Sequence, residues 1–367
     1  MLSPRGQMLL RLGRTCNLCL GCMGMGLIIA LTSVALLDLV EIYRSDISSV
    51  SHLITVRCVG SLVGSLVGGK LYDGYNVQIM SILMMVVACV TALMIPLSGS
   101  LAFAHVIVFF GGISSGAFNT GANVWTIRLW PENSSPALQV FHLAFGAGNL
   151  MAPLIAEPFL SPGVGREALN QTDNVTAYSD SGYSTFEPLR NETTESRVYY
   201  AFGIASAFHL LLVIAMVALY LIDRSDVKRA PSGEGDAPKT EDVFFTRVML
   251  ALMSIYVCVY VALECTTAQM VTAYAVKSDL HFTKSAAARL TAVFFSCFAA
   301  SRLGAALVTI KLSPFQMLVL SHVIVAVTGS VLLVWGSSSA PVLWACIALM
   351  GIGQGPVYAS VVSWTDS

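Results

Sequence analysis

Charge is what this chain lacks most. Its 367 residues hold 20 Lys and Arg and 21 Asp and Glu, 11% of the total, where a soluble domain carries about 25%. That shortage excludes a water-exposed surface of ordinary size, and it excludes a disordered chain. A formal net charge of -1 with no basic cluster excludes nucleic acid as a partner. The nine cysteines avoid the long polar stretch 160–197, so no disulfide framework is expected there. No H-E-x-x-H motif occurs, and no enzymatic activity and no cofactor is expected. What the chain has instead is apolar residues, 56% of it, with a mean hydropathy of +0.74. An all-α polytopic membrane protein remains, with the lipid bilayer as its solvent.

A spanning helix needs about 20 apolar residues. Ten spans satisfy this, at about 17–39, 50–69, 78–97, 101–123, 137–159, 198–222, 248–271, 286–309, 316–335 and 341–362. The first is too long for the apolar core of a signal peptide and is read as a retained helix. Arg5, Arg11 and Arg14 precede it, which places the N-terminus in the cytoplasm. Alternation then puts 160–197 outside, and that loop holds three N-x-[ST] sequons, at Asn170, Asn174 and Asn191. Glycosylation there fits the plasma membrane. Cys16, Cys19 and Cys22 recur every third residue. They suit a metal site, juxtamembrane acylation or, with no fourth ligand nearby, a strip of small apolar residues on the first helix.

The chain divides into 1–222 with six spans, a cytoplasmic linker 223–247, and 248–367 with four. Faint repeats lie six spans apart: Arg57 with Arg302, Asp38 with Glu264, and G-A-F-N-T-G-A-N with G-I-G-Q-G-P-V-Y. Two pseudo-symmetric bundles joined by a linker are the plan of a secondary transporter. On that plan the second bundle is two helices short.

Ionisable groups inside a bilayer cost a few kcal/mol on insertion scales and default to function. Asp38 lies near the outer end of its span, where it is either interfacial or cation-linked. Glu264 lies deeper, and needs a cation, a proton, or a partner in Arg57 or Arg302. Arg57 and Arg302 are read as structural charges. Asn119 and Asn123 share a helix face, and Gln139, His142, Gly146 and Asn149 draw a polar stripe along the fifth span. Gln354 and Tyr358 repeat the pattern on the tenth. Lipid cannot satisfy such groups. Amides and imidazole suit a neutral ligand rich in hydroxyls, so these seven polar side chains are the expected substrate lining, with interhelical hydrogen bonding as the alternative. Trp125 and Trp130 suit either sugar stacking or an interfacial belt. Gly60, Gly64 and Gly68 form G-x-x-x-G steps for close packing. G-K-L-Y-D-G at 69–74 is read as a tight inner turn carrying Asp73.

These motifs resemble a known family. G-K-L-Y-D-G is similar to part of the inner-loop signature of the major facilitator superfamily. G-A-F-N-T-G-A-N-V-W-T-I-R-L-W, the block F-H-L-A-F-G-A-G-N-L-M-A-P-L-I-A-E-P-F-L, L-L-D-L and Y-V-A-L-E together resemble the sodium-dependent glucose transporter type 1 group, a relative of the fucose:proton symporters. The resemblance implies a twelve-helix facilitator fold, of which about ten helices are present. It implies alternating-access transport of a hexose, with sodium as co-substrate and a sugar as the small-molecule partner. It makes Asp38 and Glu264 the cation-coupling acids, matches Asn123 to the Asn of the symporters' fourth-helix motif, and places His142 and Asn149 in the fifth-helix block where the symporters carry a sugar-binding amide. Asn119 stands where the fucose symporters carry a protonatable Glu, which argues against proton coupling through that helix. The fold also implies that the Gly60–Gly64–Gly68 face would meet the absent eleventh helix. A truncated, non-transporting paralogue or membrane scaffold is the alternative function.

Overall fold

A computed structural model describes residues 3–131, 134–161, 196–225, 243–308, 313–357 and 360–361. The helices in order are α1 (Pro4–Val34), α2 (Leu36–Tyr43), α3 (Ile47–Gly74), α4 (Val77–Leu97), α5 (Leu101–Leu129), α6 (Ser134–Ala156), α7 (Tyr199–Ile222), α8 (Val243–Lys277), α9 (Lys284–Val308), α10 (Pro314–Trp335) and α11 (Ala340–Gln354). Among the described residues nine helical segments are long and apolar enough to cross a membrane, and the shorter α11 makes a tenth span. Because α1 and α2 form one bent span, eleven helices are consistent with the ten runs read from hydropathy.

Local chemistry sets the ends. Ser3 caps α1, accepting from the Gly6 amide at 3.2 Å, and Pro4 occupies the first turn. The first span therefore starts well before residue 17, because the cap and proline support a polar extension that apolarity alone does not mark. Ala35 leaves helical geometry (φ −82°, ψ 3°) and bends the span. Asp46 caps α3, Ser100 caps α5, and Ser313 with Gln316 forms a capping box on α10. The expected turn at Asp73 falls later. Helix α3 runs on through Asp73 to Gly74, and Asn76 caps α4 by accepting from Gln78 N at 2.9 Å.

Packing between helices rests on glycine. A Cβ at Gly60 would sit 2.3 Å from Phe109 O, and one at Gly64 2.1 Å from Ile113 O. Reciprocally, one at Gly116 would sit 2.0 Å from Ser61 O. The Gly face of α3 is thus sealed against α5 within the first bundle, which corrects its expected pairing with an eleventh helix. Backbone-to-backbone approach uses up the small-residue face, so nothing larger fits between. The second bundle repeats the device between α9 and α11, where a Cβ at Gly351 would lie 2.5 Å from Phe294 O. Helix α6 packs on α9, and α1 on α8, joining the two bundles. Large apolar side chains such as Leu62, Leu66, Leu211 and Leu333 point outward. A surface of that kind suits lipid rather than water.

Candidate transport site

At the end of the molecule where α2 finishes and α7 begins, a polar cluster joins the bundles. Asp38 is fully buried within the protein. Lys284, at the start of α9, donates to Asp38 Oδ1 at 2.8 Å and also to Glu41 and Ser161. The Ser161 amide donates to Asp38 Oδ2 at 2.9 Å, its hydroxyl donates to Glu41 at 2.8 Å, and Ser196 adds a short bond to Asp38. A few ångströms away Arg289 pairs with Glu157 at 2.5 Å, with Ser285 bridging. Among the described residues, every ion pair between the bundles lies at this end.

The opposite end is tied only within the first bundle, as far as it is described. Arg14 donates to the Asp223 carboxylate at 3.1 Å and to its carbonyl at 2.8 Å. Gln78 donates to Asp223 O and Ser225 O, and Asn76 to Arg224 O. Asp223 lies past the end of α7. The amide and hydroxyl of Ser225, then Arg14, hold its carboxyl below the usual range.

Between the two ends sits a second cluster. Glu264 of α8 faces Arg302 of α9 at 4.0 Å, so its partner is Arg302 and not Arg57. Arg302 also donates to Gly355 O at 3.1 Å and stacks over Phe298, 4.3 Å from the ring centroid. Tyr260 donates to Gln354 O at 2.5 Å, while Gln354 Nε2 donates to Thr267 at 3.2 Å. The Gln354 Oε1 atom is buried without a hydrogen-bond partner. His142 of α6 is half-buried, its ring edge-on to Phe141 at 5.4 Å between centroids.

The remaining candidates divide. Asn123 donates back to Asn119 O at 2.7 Å and to its side chain at 3.2 Å, with Asn119 exposed. Asn149 is buried against Gly26 of α1, and its Oδ1 lacks a hydrogen-bond partner. Gln139 belongs to α6, but its side chain, Tyr358, and the sequon residues Asn170, Asn174 and Asn191 lie outside the described residues. Asp73 is exposed on the last turn of α3. Arg57 is buried and donates to Thr32 Oγ1 of α1 at 3.0 Å. Trp125 is buried in the first bundle rather than in a belt, and Trp130 donates to Thr15 at 2.8 Å beneath the Arg11 guanidinium. No group of metal-ligating residues occurs among the described residues, where all nine cysteines are free thiols. The run Gly112–Gly116 spells G-I-S-S-G, the pattern of a hydrolase elbow. It lies inside a helix, however, and Ser114 donates to Met84 O at 2.5 Å. That elbow requires a strand-to-helix turn.

Sequence reasoning missed Lys284, Glu41, Ser161, Ser196, Glu157 and Arg289. Lys284 sits two residues before the span read at 286–309 and so counted as loop. The available signal was a lysine directly at the mouth of an apolar run.

Two bundles of apolar helices, packed through glycine, locked at one end and carrying buried polar clusters between them, define a polytopic membrane protein of the transporter type. The sequence profile of the Major Facilitator Superfamily matches residues 17–367. The chain belongs to that superfamily, and is a multi-pass integral membrane protein. It is similar to the human protein named sodium-dependent glucose transporter 1, 27% identical over 349 residues. That alignment covers 95% of this chain and 66% of the relative, so the chain spans about two thirds of that relative's length. The mouse major facilitator superfamily domain-containing protein 4A is 25% identical over 397 residues, covering 93% of this chain and 77% of that one. Among solved structures, a D-xylose-proton symporter aligns with a TM-score of 0.62 at 12% identity, covering 96% of this chain and 82% of that one. The Escherichia coli fucose:proton symporter aligns at 0.59 and 14%, covering 95% and 83%. These structures share the major facilitator fold with the chain.

Proposed function

We propose that this chain moves a hexose-like sugar, glucose first, across the plasma membrane by alternating access, coupled to sodium. The observation that carries the reading is the one-sided lock: among the described residues, ion pairs join the bundles only at the end where Lys284 meets Asp38 and Glu41 and Arg289 meets Glu157. Two rigid bundles pinned at one end are one of the two states that a rocking transporter needs. On the reading that the N-terminal arginines lie in the cytoplasm, the pinned end is the outer one, and the transport path in this state would open inward. The names of similar proteins support sugar as the substrate class.

The sugar site is assigned to the polar groups between the bundles. His142, Asn149 and Gln354, with Asn119, Asn123, Gln139 and Tyr358, are the proposed lining. The orphaned carbonyl oxygens of Asn149 and Gln354 are acceptors that sugar hydroxyls could satisfy. Glu264 and Asp38 are the proposed sodium-linked carboxylates. Asp38 holds the Lys284 ammonium in this state, so sodium would reach it only once α9 withdraws.

Uptake of labelled glucose into proteoliposomes with and without an inward sodium gradient tests the reading. Gradient-driven uptake that Glu264→Gln abolishes is expected. Uptake indifferent to sodium overturns the coupling, and absence of uptake for any hexose overturns the substrate.

A further inference from the structure

The two bundles treat their matching arginines differently. Arg302 on α9 reaches back to the preceding helix and meets a carboxylate, Glu264, at 4.0 Å. Arg57 on α3 also reaches back to the preceding span, at α1, but meets only a hydroxyl, Thr32 Oγ1, at 3.0 Å. Among the described residues no carboxylate lies within 4.0 Å of Arg57, although it is 9% exposed. A guanidinium stays protonated in proteins, and a buried charge without a counter-charge is costly.

What Arg57 has instead is a cavity. It opens among α1, α3, α4 and α5, lined by Arg57, Thr91, Ser115 and apolar atoms of Met25, Ile28 and Val108. A water-sized sphere has about 20 Å³ in which to move there. That is room for a species about the size of one water, and far too little for a hexose or an organic acid. The Ser115 hydroxyl has no hydrogen-bond partner among the described residues and can donate into the space. Thr91 spends its proton on Val87 O at 2.7 Å, so it is not a second donor. A fixed cation, a free hydroxyl donor and a wall that is apolar apart from the Thr91 hydroxyl are surroundings that suit a small, weakly hydrated anion.

We infer that the Arg57 cavity is a halide site, taking chloride as the counter-ion that Glu264 supplies to Arg302 in the other bundle. The site lies inside the first bundle and does not depend on sugar transport. Binding ties α3 to α5, because the ion is shared between the Arg57 and Ser115 side chains.

The test is thermal unfolding of the purified full chain in sodium chloride or sodium bromide against sodium gluconate, at constant sodium and ionic strength. A saturable rise in melting temperature with either halide is expected. Arg57→Gln should abolish it. Ser115→Ala, a milder change that preserves folding, should weaken apparent halide affinity several-fold. Bromide anomalous scattering at Arg57 would show the ion directly. A wild-type melting temperature indifferent to halide overturns the proposal, as does a halide response that survives in both variants. Since the readout is unfolding, failure of sugar uptake would leave this result standing, and the reverse also holds.

Discussion

Lys284 donates to Asp38 across 2.8 Å, though 246 residues separate them, and this buried pair pins the two bundles at one end. Removing one partner of a buried pair strands the other, at about 3–5 kcal/mol. The chain can relieve that cost by letting water reach Asp38. Lys284→Ala should therefore shift the population toward a state open at that end. Spin labels on α2 and α9 should report a longer distance by electron–electron resonance. An unchanged distance distribution would count against the lock.

The neighbouring pair should matter less. Arg289 is 55% exposed in its side chain, and exposed pairs contribute about 0–1 kcal/mol. Arg289→Gln should leave the same distance distribution nearly as in the wild type. A response as large as that of Lys284→Ala would show that the lock is shared between the two pairs.

Glycine substitutions separate packing from propensity. Gly64→Ala and Gly116→Ala would bring a Cβ to 2.1 Å and 2.0 Å of backbone oxygens. Overpacking of this kind costs about 1–3 kcal/mol or more. Gly203→Ala, where nothing lies within 4 Å, should instead be neutral or stabilising by up to about 1 kcal/mol. Melting temperatures of the detergent-solubilised variants decide between the two outcomes.

Asp223 supplies a pH prediction. Its carboxyl is held below the ordinary value of 3.8 by Ser225 and Arg14. A depressed folded pKa adds stability above the unfolded value, and that stability is lost as the pH falls through the folded one. Exchange protection around Arg14 in α1 and in the first turn of α4 should differ between wild type and Asp223→Asn at neutral and mildly acidic pH. The difference should close only below about 3.8. Closure near neutral pH would mean that another group carries the tether.

Much of the fold was legible in one dimension. Apolar run length located the ten spans, because lipid demands about 20 such residues per crossing. The six-span repeat was visible in Arg57 and Arg302, and both reach back to the preceding span. The pairing of Glu264 was half legible, since Arg302 was one of two named partners. Helix ends were less legible: Ser3 with Pro4, and Ala35, act through local backbone geometry that hydropathy averages away.

The sequence by itself determined the solvent, the class and the spans of this protein, because scarcity of charge and length of apolar runs are properties of composition and local order. Only the tertiary structure decided which charges meet. Asp38 finds Lys284, the α3 glycines find α5, and Arg57 finds a small cavity instead of an acid. Each of these depends on which helix faces turn toward each other once packed, and side-chain partners hundreds of residues apart leave no mark on local pattern.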